Sequence, residues 1–120
     1  MKNFLFVYRT DYKAMPMETS ETAEGSAQEM EAMNRRWMDW MAGIAAQNKL
    51  AEQGNRLADS GKVVRPNNIV TNGPYAEIKE SIGGYSMVKA TSYEDAIELA
   101  KDCPILSVGG NVEVREISVM

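Results

Sequence analysis

The sequence predicts an α+β fold in which one antiparallel sheet carries two helices on the same face. Three observations lead there. Two amphipathic stretches, each opened by a Ser/Thr-x-x-Glu pattern, are separated by several short strand-like runs. Those runs lie too close together for parallel crossovers throughout. The first of them, Phe4 to Tyr8 ("FLFVY"), is apolar at every position, which suits a strand covered on both sides.

Phe4–Tyr8 is therefore the first strand. The polar stretch from Arg9 to Ser26 follows, with Pro16 and Gly25 and no sustained period, and reads as a loop. Ser26 and Glu29 form a capping box, and Met30, Met33, Trp37, Trp40 and Ile44 recur behind it at steps of three and four. This predicts a helix that stops near Gln47, because Asn48 tolerates the left-handed conformation. The stripe of Met and Trp reads as core. Arg56–Ala58 and Lys62–Arg65 are expected as strands joined by a Ser60-Gly61 turn, at a sheet edge because Pro66 has no N–H to donate. Asn68–Thr71 is a further strand. Asn72-Gly73-Pro74 then turns into a helical turn at Tyr75–Glu80, and Gly83-Gly84 release the chain into a strand at Tyr85–Ala90. Thr91 with Glu94 caps a second helix whose inward stripe is Ala96, Ile97, Ala100 and Cys103, ended by Pro104. Gly109-Gly110-Asn111 leads to a last strand, Val112–Val119, with a bulge expected at Arg115–Glu116.

The resulting β, α, several β, α, β order suits a split β-α-β, ferredoxin-like sandwich. The strands at Phe4 and Tyr85 are apolar on both sides, so the face without helices is expected to be covered by a second copy, giving a homodimer joined through the sheet.

At 120 residues with 44% of them hydrophobic, the chain is expected to be a single domain, residues 1–120, able to bury a core without staples. Thirteen basic against seventeen acidic residues give a net charge of −4, the wrong sign for a phosphate binder, so no direct nucleic-acid partner is expected. With one cysteine and no histidine there is neither an internal disulfide nor a zinc ligand set, and no metal or cofactor is expected. The lone Cys103 points to a reducing, cytoplasmic setting. The apolar run at the N-terminus is shorter than a signal-peptide core of roughly 7–15 residues or a span of about 20, so no membrane association is expected.

The stretch Asn72–Tyr85, "NGPYAEIKESIGGY", resembles the signature D-G-P-F-A-E-x-K-E-x-L-G-G-Y of the DGPF group within the YCII-related (YciI-like) family. Asn72 stands for the usual Asp, Tyr75 for Phe and Ile82 for Leu. "SYEDAIELAKDCP" and "GGNVEVREI" are similar to their counterparts there. The resemblance implies a dimeric α+β barrel of ferredoxin-like subunits. In the wider family it implies a His and Asp pair in a cleft as acid and base, but this chain has no His, so that mechanism does not carry over. Some relatives are associated with extracytoplasmic-function sigma factors, which points to a regulatory role.

No strong catalytic motif names a reaction. Two readings follow for the signature. In one, its glycines and Pro74 supply backbone geometry, Tyr75 plugs the core, and Glu77, Lys79 and Glu80 form a solvated face. In the other it walls a pocket in which Arg9, Asp11, Asn72, Tyr75, Glu77 and Lys79 converge on a small anionic or carbonyl-containing ligand, with Arg9 or Lys79 holding the anion and Asp11 or Glu77 as base. The rival function is a non-catalytic dimeric interaction module, linked to sigma-factor signalling.

Overall fold

The computed structural model describes residues 1–10, 23–58, 60–73 and 81–118. Their order is β1 (Lys2–Thr10), α1 (Ala23–Ala46), β2 (Leu50–Arg56), β3 (Lys62–Arg65), β4 (Ile69–Asn72), β5 (Ser81–Ala90), α2 (Tyr93–Ala100) and β6 (Asn111–Glu116). Strands β2, β5, β1 and β6 form, in that order, a four-stranded sheet, while β3 and β4 form a separate two-stranded hairpin. Every pairing in the larger sheet is antiparallel. The units β1-α1-β2 and β5-α2-β6 therefore interleave, each crossing over a strand of the other, and both helices land on one face.

Alternation along β1 decides what that face is made of. Phe4 sits opposite Val88, and Phe6 opposite Ser86 and Val114. Phe4, Phe6, Tyr8, Val88 and Ala90 are buried under Met41 and Ile44 of α1 and under Ala96, Leu99 and Ala100 of α2. Rings tie the layers: Phe6 stacks on Trp40 at 6.2 Å between centroids, and Phe4 meets the edge of Tyr93 at 5.0 Å. The indole N–H of Trp40 donates to the Leu99 carbonyl at 2.9 Å and joins the two helices. The opposite face carries Leu5, Val7 and Arg9 of β1 beside Tyr85 and Met87 of β5, and no helix lies over it among the described residues.

Several boundaries differ from expectation, each for a physical reason. Helix α1 is already running at Ala23, so Ser26 and Glu29 lie inside it; a single Gly25 costs only about 1 kcal/mol and does not stop a helix of this length. Its end is as expected, with Asn48 left-handed at φ 58° and the Lys49 N–H donating to the Ile44 carbonyl at 3.1 Å. Met30, expected inward, is exposed, and Met41 takes up the stripe, because the core rings of β1 lie under the second half of the helix.

Strand β2 occupies Leu50–Arg56, ahead of the expected Arg56–Ala58, and pairs with β5, not with Lys62–Arg65. The stretch "LAEQGNR" does not alternate, because its register slips twice and Gly54 turns at φ 77°. A Cβ there would come within 1.8 Å of the Tyr85 carbonyl oxygen, so this bulge requires glycine. The hairpin forms instead between β3 and β4 around Pro66-Asn67-Asn68, whose two asparagines take φ 66° and 61°. β4 sits one residue later than expected. β5 begins at Ser81, so Gly83 and Gly84 are inside the ladder, opposite a register shift between Tyr8 and Arg9.

The cap of α2 is Ser92, not Thr91: its hydroxyl accepts from the Asp95 N–H at 3.2 Å, and the Asp95 carboxylate accepts from the Thr91 N–H at 3.0 Å. One position of shift turns Ile97 outward and Leu99 inward. β6 runs in unbroken register with β1 and ends at Glu116, with no bulge at Arg115–Glu116. Ile117 is exposed, and its N–H is taken by the Asn3 carbonyl. The helical turn expected at Tyr75–Glu80 lies outside the described residues, as does Val119.

Candidate functional site

The bulge at Gly54 creates a local problem in hydrogen bonding. Between the paired positions Glu52 and Asn55, Gln53 drops out of the ladder with β5, so its carbonyl needs another donor. Ser86 supplies one. It points under the helices, fully buried among apolar neighbours, and its hydroxyl donates to the Gln53 carbonyl at 2.6 Å. The Tyr8 hydroxyl in turn donates to Ser86 Oγ at 2.7 Å. The direction of this relay is fixed, because a carbonyl oxygen only accepts. Burial pushes the Tyr8 phenol well above its ordinary range, against the opposing pull of the Ser86 hydrogen bond, so the phenol stays protonated.

Above the relay lies a cleft of about 260 Å³ between α1 and the sheet. Met33, Trp37 and Met41 form its helical wall; Tyr8, Gly84 and Ser86 form its floor. Trp37 stands edge-on to Tyr8 at 4.9 Å and 81°. Gly84 allows β2 to approach, since a Cβ there would lie 2.9 Å from the Asn55 carbonyl oxygen. The same absence of a side chain leaves room beside the Tyr8 ring. Among its described lining Arg56 is the single charged residue, and that described lining holds no carboxylate or cysteine.

A second, larger depression of about 580 Å³ lies between α1 and α2, bordered by Asp39, Asp95, Glu98 and Asp102. It is wide open to solvent. Its defining contact is the Lys49–Asp95 ion pair at 2.9 Å. The hydrogen bond from the Thr91 backbone, then that from Lys49, hold the Asp95 carboxyl below its usual range. Such a pair pins α2 to the residue before β2; this depression is the more open and polar of the two, so the smaller, more apolar cleft is the better candidate. Cys103 is buried beside the core and its thiol is pushed up to about 12 by burial, which leaves it un-ionised at neutral pH and a poor nucleophile.

Of the six residues proposed from sequence, Asp11, Tyr75, Glu77 and Lys79 lie outside the described residues. Arg9 is on the open face of the sheet, where its Nε donates to Glu113 Oε1 at 2.8 Å while Arg115 donates to the other carboxylate oxygen at 3.0 Å. These two hydrogen bonds, Arg115's first, hold the Glu113 carboxyl below its usual range. Asn72 ends β4 and its side-chain oxygen accepts from Lys62 across the hairpin. The two described members thus stand in different sheets with different partners. The structure adds Tyr8, Ser86 and Gly54, which motif reading missed, while Gly84 is one of the signature's glycines and has the backbone role read for them. Ser86 alone left a trace: it is a hydroxyl at an inward position of an otherwise apolar strand.

Fold and cleft define the class: a small α+β sandwich domain with a cleft between its sheet and first helix. The model of the YCII-related domain matches residues 14–120, and the chain belongs to that family. No curated protein matches the chain. Among the described residues no helix is long and apolar enough to cross a membrane.

Proposed function

We propose that this protein binds a small molecule in the cleft between α1 and the sheet, as a member of the DGPF branch of its family. One observation carries the reading: a buried Tyr8–Ser86–Gln53 hydrogen-bond relay borders a half-open cleft walled by Trp37, Met33 and Met41. Hydrophobic walls with few, well-placed polar groups are the usual makeup of a ligand site. Binding, not catalysis, is proposed, because the described lining holds no nucleophile and base in partnership. The signature set of Arg9, Asp11, Asn72, Tyr75, Glu77 and Lys79 is the second reading; it is favoured by Arg9 lying at the end of β1 and requires Arg9 to release Glu113 for an anion.

A thermal-shift screen of metabolites on the wild type, Trp37→Ala and Arg9→Ala separates the two. Shifts lost with Trp37→Ala and kept with Arg9→Ala support the cleft; the reverse supports the signature set. No shift from any compound, together with co-purification of a sigma or anti-sigma factor, supports the interaction module instead.

In the same reading each chain is a ferredoxin-like subunit of a dimeric barrel joined through the open sheet faces. Support comes from Leu5, Tyr85 and Met87, half-buried apolar residues on a face that no described helix covers. Leu5→Arg is expected to convert a dimer into a monomer by light scattering. A wild-type mass of 13.3 kDa at micromolar concentration would rule the dimer out.

A further inference from the structure

We infer that the cleft selects an uncharged, flat ring molecule whose buried end is a hydrogen-bond donor, a phenol or aryl alcohol, in preference to a carboxylate or carbonyl compound; this rests on the cleft-binding reading above. The sense of the hydrogen bonds decides the preference. The Gln53 carbonyl can only accept, so the Ser86 hydroxyl must donate to it at 2.6 Å. Ser86 Oγ is thereby left as acceptor for the Tyr8 proton at 2.7 Å. Tyr8 lines the cleft, and its oxygen, with its only proton given to Ser86, retains a lone pair. A ligand hydroxyl can donate to that lone pair and extend the relay by one bond. A carboxylate or carbonyl oxygen placed there would set acceptor against acceptor in a desolvated site.

The walls fix the rest of the ligand. Trp37 stands perpendicular to Tyr8, and Met33 and Met41 complete a slot suited to a ring, since thioether sulfur packs well against aromatic edges. A volume of about 260 Å³ lies just below the range of drug-sized pockets, which limits the occupant to one or two fused rings. Arg56, at the β2 side of the cleft, is the one charge in the described lining. It pairs with Gly84 in the register of β2 on β5.

Isothermal titration calorimetry with 1-naphthol, 1-methoxynaphthalene and 1-naphthoate tests the inference on the full chain. The expected result is that 1-naphthol binds and both analogues bind roughly tenfold or more weakly, the loss that follows from leaving a buried polar group without its partner. Tyr8→Phe should keep the ring contact with Trp37 yet remove the advantage of 1-naphthol over 1-methoxynaphthalene. Ser86→Ala, which frees the Tyr8 proton for the ligand, should move the preference toward the methoxy compound, so the idea remains testable even where one variant folds poorly. Equal binding of all three probes overturns the donor inference while leaving a binding cleft. Tightest binding by the acceptor compounds overturns it as well, since a donor would then serve the ligand in place of the Tyr8 lone pair. Failure of all three to bind, with other classes of compound binding in the thermal-shift screen, overturns the inference alone; failure of every class removes the cleft reading with it.

Discussion

On β1, Phe4, Phe6 and Tyr8 point under the helices, while Leu5, Val7 and Arg9, their immediate neighbours in the chain, point to the open side of the same sheet. Under the helices the side chains are buried, the rings interlock, and the buried hydroxyl of β5, Ser86, is satisfied twice. On the open side, apolar Leu5, Tyr85 and Met87 keep part of their surface in water beside an Arg9–Glu113–Arg115 ion network. One strand thus makes two surfaces of different kinds. Burial on the first is complete within a single chain, and it leaves a cavity with a polar base. The second keeps apolar and charged side chains next to one another and partly in water.

The largest expected effect tests how far the two sides differ. Phe6→Ala, which removes a fully buried ring, is expected to destabilise the chain by about 3–5 kcal/mol in denaturant unfolding. Leu5→Ala at dilutions that favour the single chain should cost less than about 1 kcal/mol. Equal losses would mean that the open side is as much a core as the covered one.

A smaller effect concerns the bulge that connects the two sides through β2. Gly54→Ala forces a side chain into φ 77° and against the Tyr85 carbonyl. A cost of roughly 1–3 kcal/mol is expected from the backbone strain alone, with further loss from displaced β2. It should also loosen Ser86, seen as faster exchange of the amide protons along β5. An unchanged melting temperature would show that the bulge relaxes without consequence and that the relay does not depend on it.

The smallest effects are electrostatic and compare Asp95 on the helical side with Glu113 on the open side. Both carboxyls are held below their ordinary range of ~4, so the folded state binds fewer protons than the unfolded one there. Their contributions are present above that range and are lost as pH falls through the lowered values. Each belongs to the ~0–1 kcal/mol class of partly exposed pairs. Asp95→Asn and Glu113→Gln should each flatten the fall of melting temperature between about pH 5 and pH 3. A variant that falls as steeply as the wild type would show that its ion pair does not hold the native state.

Much of the fold was legible because it rests on contacts within a few residues. The apolar run at Phe4–Tyr8 marked an interior strand and Asn48 stopped α1, whereas α2 ends at Ala100, ahead of the expected stop at Pro104, which opens a 3-10 turn with Cys103 before it. The signature around Asn72–Tyr85 carried the family. Where a cap depended on one atom's reach the reading slipped by a residue, as at Ser92, because Thr91 and Ser92 both have hydroxyls and only the path of the preceding strand decides which one faces the helix.

The sequence by itself determined the α+β class, both helices, the interior place of β1 and the membership in the YCII-related family, since each is encoded in local periodicity, caps or a contiguous motif. Tertiary structure alone decided that β2 pairs with β5, that Gly54 breaks its register and that Tyr8 meets Ser86 across 78 positions of chain. The physical reason is that strand pairing is a contest among distant partners. Val63, Val64 and Val70 offer better strand formers than "LAEQGNR", yet β2 wins a place in the main sheet because α1 delivers it to the free edge of β5. The candidate site is built where that delivery leaves a carbonyl in need of a donor, a need that arises only once the sheet has closed.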